Sequence, residues 1–111
     1  MKSYEVIMTD DADENIEQLG DYIAYDLHSP DVAQAYVEKI LGEIKERLSY
    51  LPERFILAYD EPDHSRQIRR MQIDNHFAYY RIDEDAAVVY VLNIVYNRRD
   101  QLRLLQQMKY E

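Results

Sequence analysis

The spacing of the apolar residues changes once along this chain, and that change limits the folds open to it. Between Ala12 and Leu51, apolar residues recur every three or four positions, which is typical of amphipathic helices. From Phe55 onward they alternate every second position, and β-branched and aromatic residues dominate, which indicates strands. The sequence therefore predicts an α+β fold in which two helices precede most of a sheet.

The first half of the chain is predicted to hold one short strand and a helical hairpin. The strand covers residues 3–8, and Thr9 or Asp10 can cap the helix that follows. Pro30 suits the first position of a second helix, for which Ser29 would be the N-cap, and Pro52 ends that helix. The apolar positions expected to face the core are Ala12, Ile16, Leu19, Ile23 and Leu27 in the first helix and Ala33, Val37, Ile40, Ile44, Leu48 and Leu51 in the second.

The second half is predicted to form an antiparallel meander of three or four strands. The pair Asp74 and Asn75 suits a tight hairpin turn, because both residue types tolerate positive φ. The last strand is apolar on both faces, so we expect a central position for it. We also expect a short terminal helix at residues 100–110 and a single domain over residues 1–111. The four predicted strands are residues 54–59, 67–73, 76–82 and 86–96.

Charge and composition exclude several classes of function. The net charge is −9, which argues against binding nucleic acid through a broad basic surface. The alternative to any binding role for this charge is that the acidic helices only keep the protein in solution. The chain has no cysteine, and its three histidines lack metal-ligand spacing, so we expect neither a metal nor a cofactor. No apolar run is long enough for a membrane span, and we expect a cytoplasmic protein.

Arginine is the residue type that suggests a functional site. The guanidinium fork fits phosphate oxygens and carboxylates, and five arginines fall in or just after predicted strands. Strand alternation places Arg69 and Arg70 on opposite faces, so only one of them can share the site's face. Surface ion pairs are the structural alternative for each of these arginines. The five are Arg69, Arg70, Arg81, Arg98 and Arg99.

Tyrosine supplies a second signal, because the chain contains 11 of them. Tyr80 and Tyr96 lie nearest the arginines along their own strands, and a phenol can stack on a base or transfer a proton. Tyr96 is the preferred candidate for proton transfer, although a buried ring with a bonded hydroxyl explains its position equally well. Four other tyrosines are expected in the core from their periodicity: Tyr4, Tyr22, Tyr36 and Tyr90.

Five segments, taken in their order along the chain, carry a resemblance to a known family: "YEVIMTDDADENIEQLGDYIAYDL", "SPDVAQAYVEKI", "LPERF", "HSRQIRRMQIDNHFAYYRIDED" and "VYVLNIVYNRRD". Their order resembles that in the RelE/ParE superfamily of type II toxin–antitoxin toxins, and in particular in a branch described as plasmid-stabilisation or addiction-module toxins. If the resemblance holds, the helical hairpin packs on one face of a twisted antiparallel sheet, and the opposite face forms a functional surface.

The resemblance implies two activities and a protein partner. RelE-like members cut messenger RNA on the ribosome without a metal, and ParE-like members inhibit DNA gyrase. We expect the RelE-like activity, with the ParE-like activity and a non-toxic antitoxin-binding module as alternatives. The partner is a cognate antitoxin, and the assemblies considered are a homodimer and a toxin–antitoxin heterotetramer. The residues assigned to catalysis are Arg69, Arg81, Tyr96 and Arg99, and those assigned to substrate binding are Arg70, Tyr80 and Arg98.

Overall fold

The predicted order of helices and strands is confirmed. A computed structural model of the protein describes residues 2–26, 28–57 and 66–96. The strands are β1 (Glu5–Met8), β2 (Arg69–Ile73), β3 (His76–Asp83) and β4 (Val88–Tyr96). The helices are α1 (Asp10–Asp21), which continues into a π-helical turn (Tyr22–Asp26), α2 (Pro30–Leu48) and a short 3-10 turn (Pro52–Arg54).

The four strands form one sheet in the order β1-β4-β3-β2. Strands β2, β3 and β4 are an antiparallel meander, and β1 pairs with β4 in parallel. Strand β4 therefore lies between two neighbours, as its apolar character predicted. The turn between β2 and β3 is the predicted one: Ile73 pairs with His76, and Asp74 adopts a φ of 49°.

The prediction of a strand at residues 54–59 is wrong for the part that the structure describes. Leu51 adopts a left-handed conformation with a φ of 48°, and Pro52 then opens the 3-10 turn. Residues 54–57 are not assigned to a strand, and Leu57 forms an isolated antiparallel β-bridge with Arg69. The second helix also ends at Leu48, so Leu51 is not part of its apolar stripe. Residues 58 and 59 and the predicted helix at 100–110 lie outside the described residues.

Two side chains attach α1 to an irregularity in β4. The register shifts between Tyr79 and Tyr80, so that Leu92 is an extra residue in β4 and forms a bulge. Thr9 caps α1 by accepting a hydrogen bond from the amide of Ala12 at 3.3 Å, and its hydroxyl donates to the Val91 carbonyl at 2.8 Å.

Beyond the bulge, the side-chain oxygen of Asn15 accepts a hydrogen bond from the amide of Ile94 at 2.9 Å. Thr9 and Asn15 therefore fix α1 to the sheet on both sides of the extra residue.

Both helices cover the same face of the sheet. The core between the helices and the sheet consists mainly of the buried side chains Ala12, Ile16, Ile40, Ile44, Leu48, Met71, Ile73, Ala78, Tyr80, Val89, Val91 and Ile94. No described element packs on the other face, which we call the open face; it carries Arg70, Phe77, Tyr79, Arg81 and Tyr90. Within the described segments, no helix is both long and apolar enough to cross a membrane.

Candidate functional site

The alternation of side chains along β2 and β3 sorts the arginines onto two faces. Met71 and Ile73 are buried under the helices, so Arg69, two residues before Met71, lies on the helix-covered face. Arg70 lies on the open face, opposite Tyr79 in the register. Arg81 follows the buried Tyr80 and also lies on the open face.

The structure thus separates the residues that we expected to converge. Arg69 and Arg81 lie on opposite faces of the sheet, whereas Arg70 and Arg81 share one. In the register of β2 and β3, Arg70 and Arg81 are diagonal neighbours.

Arg69 holds the segment before β2 against the sheet. Its guanidinium donates a hydrogen bond to the Phe55 carbonyl at 2.6 Å, and the amide of Arg70 donates to the Ile56 carbonyl at 3.1 Å. Charge-assisted bonds of this kind are among the stronger hydrogen bonds in proteins. The guanidinium therefore has a structural partner, even though the side chain is only half-buried.

Tyr80 has no surface that a substrate could contact. Its exposed fraction is 0%, its ring meets that of Phe55 edge-on at 6.4 Å between centroids, and its hydroxyl donates to the Pro52 carbonyl at 2.6 Å. Burial raises the pKa of Tyr80 well above the ordinary value for a phenol. The side chain that we assigned to substrate binding occupies a core position and ties the 3-10 turn to β3.

On the open face, two guanidinium groups lie over aromatic rings. The central carbon of the Arg70 guanidinium is 4.6 Å from the centroid of the Phe77 ring, and that of Arg81 is 4.5 Å from the centroid of the Tyr90 ring. The rings of Phe77 and Tyr79 meet at 6.4 Å with an angle of 64° between their planes. A guanidinium that stacks on a ring can also donate from its N–H edges to an anionic oxygen. The geometry of Arg81 over Tyr90 therefore suits a carboxylate or a phosphate.

A polar cluster lies at the end of the sheet where β3 turns into β4. The Tyr4 hydroxyl donates to a carboxylate oxygen of Glu84 at 2.6 Å, and the Lys2 ammonium lies 3.4 Å from the same oxygen. The hydrogen bond raises the pKa of Tyr4 to about 12 and, in turn, lowers the pKa of Glu84 below its usual range. Both groups are therefore held in their ordinary charge states at neutral pH, which makes the pair unsuitable for proton transfer.

The remaining predicted site residues are Tyr96, Arg98 and Arg99. Tyr96 is the last residue of the strand and pairs with His76 in the register. The side chain of Tyr96, and all of Arg98 and Arg99, lie outside the described residues. In residues 2–26, 28–57 and 66–96, no group of three or more acidic or histidine side chains is placed to hold a metal ion.

Three residues of the open face were not identified from the sequence. Tyr90 was expected in the core, and neither Phe77 nor Tyr79 was considered. Alternation from the buried Ala78 would have placed Phe77 on the open face, but the placement of Tyr90 beside Arg81 depends on the register beyond the bulge at Leu92. Nothing in the local sequence identifies that bulge.

Comparison with known proteins agrees with this architecture. A family model described as "ParE toxin of type II toxin-antitoxin system, parDE" matches residues 6–101. The chain is similar to a solved structure of the chromosomal ParDE toxin–antitoxin system from P. aeruginosa, with a TM-score of 0.69 and 16% identity over 86% of this chain and 98% of that one.

It is also similar to the RelBE2 toxin–antitoxin complex from Mycobacterium tuberculosis, with a TM-score of 0.61 and 22% identity over 86% of this chain and 93% of that one. No curated protein matches the chain. At these identities the two structures support the fold alone. The family model, however, spans most of the sequence, and the chain belongs to the ParE toxin family of type II toxin–antitoxin systems, within the RelE/ParE superfamily.

Proposed function

We propose that this toxin acts by binding a protein target, DNA gyrase, in the manner of ParE, and that it does not cleave messenger RNA. The sequence alone led us to expect the RelE-like nuclease. The observation that changes our preference is the separation of Arg69 from Arg81, because metal-free RNA cleavage requires cations and proton-transfer groups at one phosphate.

The chemistry of the described groups supports the same preference. The phenol of Tyr80 is buried with a raised pKa, and Glu84 is held as a carboxylate by Tyr4 and Lys2. A net charge of −9 would also oppose entry into a site lined by RNA. A protein target presents no such uniform negative field. The match to a family model described as ParE toxin agrees with a protein target.

We further propose that the cognate antitoxin covers the open face. Both solved structures described above are toxin–antitoxin complexes, which supports a partner of this kind. The guanidinium groups of Arg70 and Arg81 lie over rings, which fits a segment that carries carboxylates beside apolar side chains. The toxin would meet both antitoxin and gyrase in the cytoplasm.

The test is to purify the full chain away from its antitoxin and to measure two activities with the same preparation. We expect inhibition of supercoiling by purified gyrase, and no cleavage of messenger RNA in a translation extract. In cells, induction without antitoxin should stop DNA synthesis before protein synthesis. Messenger RNA cut within translated regions, with supercoiling unaffected, would contradict the proposal and restore the RelE-like nuclease. Normal growth with folded protein present would favour the non-toxic binding module.

A further inference from the structure

The end of the helical hairpin exposes three large apolar side chains. Tyr22 and Tyr25 belong to the π-helical turn, and Val32 belongs to the first turn of α2; we call these three side chains the hairpin tip. Their exposed fractions are 52%, 73% and 58%, respectively. Single exposed apolar residues are common on protein surfaces, but a group of three close in sequence calls for an explanation.

The backbone holds the two tyrosines on the outer side of the hairpin. Ile23 is buried, and its carbonyl accepts a hydrogen bond from the amide of Ser29 at 3.3 Å, which closes the connection between the helices. Ala33, next to Val32, is also buried. The π-helical turn packs on α2, so the tyrosine side chains project from an ordered support. Single π-helical turns are rare and are found frequently at functional sites.

The charge around the hairpin tip has one sign. From Asp10 to Asp31 the chain has eight Asp and Glu residues and no Lys or Arg. The ion pairs between described residues are Lys2–Glu84 and Lys39–Asp74, and neither involves the hairpin tip or its acidic neighbours. Exposed aspartates adjoin all three apolar side chains, namely Asp21, Asp26 and Asp31.

We propose that the hairpin tip is a docking site for a lysine- and arginine-rich segment of a protein partner. Exposed phenol rings bind cations over their faces, and the surrounding carboxylates attract the same cations. Nucleic acid is repelled by this surface, and so is a second copy of a chain whose net charge is −9. The site is distinct from the open face and does not depend on whether the toxin acts on gyrase or on the ribosome.

The experiment titrates the isotope-labelled full chain with a synthetic peptide of alternating arginine and alanine, followed by NMR. We expect chemical-shift changes concentrated at residues 21–26 and 28–32. The double variant Tyr22→Ser, Tyr25→Ser should bind the peptide about fivefold to thirtyfold more weakly, because two ring faces are lost. The matched control is Asp10→Asn, Glu14→Gln, which removes two exposed charges from α1 away from the tip and should change the affinity less than about twofold.

Several results would overturn the proposal. Shift changes spread evenly along α1, or a control that loses as much affinity as the tyrosine variant, would mean that the peptide follows general negative charge. Equal binding by the tyrosine variant would mean that the rings take no part. Sedimentation showing a dimer that the tyrosine variant loses would assign the tip to a second copy instead. A melting curve confirms folding, and Tyr25→Ser alone replaces the double variant if that variant is unstable.

Discussion

Replacing Tyr80 with phenylalanine separates a structural role for this tyrosine from a role in substrate binding. The change keeps the ring, and so the core volume, and removes only the hydroxyl that donates to the Pro52 carbonyl at 2.6 Å. A buried acceptor left without its donor costs about 1–3 kcal/mol of unfolding free energy. For a domain of this size, we expect the melting temperature to fall by roughly 4–15 °C.

Tyr79→Phe is the matched control, because Tyr79 is the neighbouring residue on the open face and its contact with Phe77 needs only the ring. We expect its unfolding free energy to stay within about 0.5 kcal/mol of the unchanged protein.

Stability at alkaline pH gives a second comparison between Tyr80→Phe and the unchanged protein. Burial raises the pKa of Tyr80 in the folded state, so stability is complete below the ordinary phenol pKa of about 10 and falls as the pH rises above it. Tyr80→Phe should therefore show a shallower loss of stability above pH 10.

The assays are thermal unfolding of the purified variants and growth arrest on induction of each variant. We expect Tyr80→Phe to retain toxicity at temperatures well below its melting point. A variant that melts like the unchanged protein but no longer arrests growth would refute the reasoning. That result would return Tyr80 to the functional residues.

Three further substitutions test other parts of the structure. Asn15→Ala leaves the Ile94 amide of β4 without its acceptor and should lower the unfolding free energy, measured in urea, by about 1–2 kcal/mol. The control Gln18→Ala, on the exposed side of α1, should change it by less than about 0.5 kcal/mol, and equal effects would argue against the attachment of α1 to the bulge. Burial lowers the pKa of His76, so protonation favours the unfolded chain and stability should fall as the pH drops through 6.5. His76→Phe should make the melting temperature depend less on pH in this range, and an unchanged slope of melting temperature against pH would contradict this role of His76. Arg81→Gln should weaken antitoxin binding, measured by calorimetry, about tenfold. The control replaces Arg66, which is exposed and lies outside the open face, and Arg66→Gln should weaken binding less than about twofold; similar losses in both variants would mean that the antitoxin binds elsewhere.

Local patterns predicted the elements of this fold well. The helical spacing of Ile40, Ile44 and Leu48 and the alternation around Met71 and Ile73 reflect burial on one face, which each element satisfies independently. Residues 54–59 show where such patterns fail. Their β-forming composition is overridden by Pro52 and the left-handed Leu51, which turn the backbone before a strand can form.

The candidate site was less predictable, because it depends on relations between elements. Alternation correctly predicted that Arg69 and Arg70 lie on opposite faces, but only the packed helices determine which face is covered. The placement of Tyr90 requires the bulge in β4, and the exposure of Tyr22 accompanies the π-helical turn at the end of α1. Neither irregularity has a signal in the sequence that would distinguish it from a regular strand or helix.

The parallel pairing of β1 with β4 has a consequence for the order of folding during synthesis. Glu5 pairs with Val88 and Met8 with Val91, so β1 is completed by a strand that is synthesised long after it. The hairpins of the meander close over a few residues, whereas β1 must close a loop of most of the chain, which is slower and costs more entropy. We therefore expect the sheet to be finished only after β4 has emerged from the ribosome. A toxin built in this way reaches its active shape only once β4 has been synthesised, and fragments that end before β4 lack the central strand on which β1 depends.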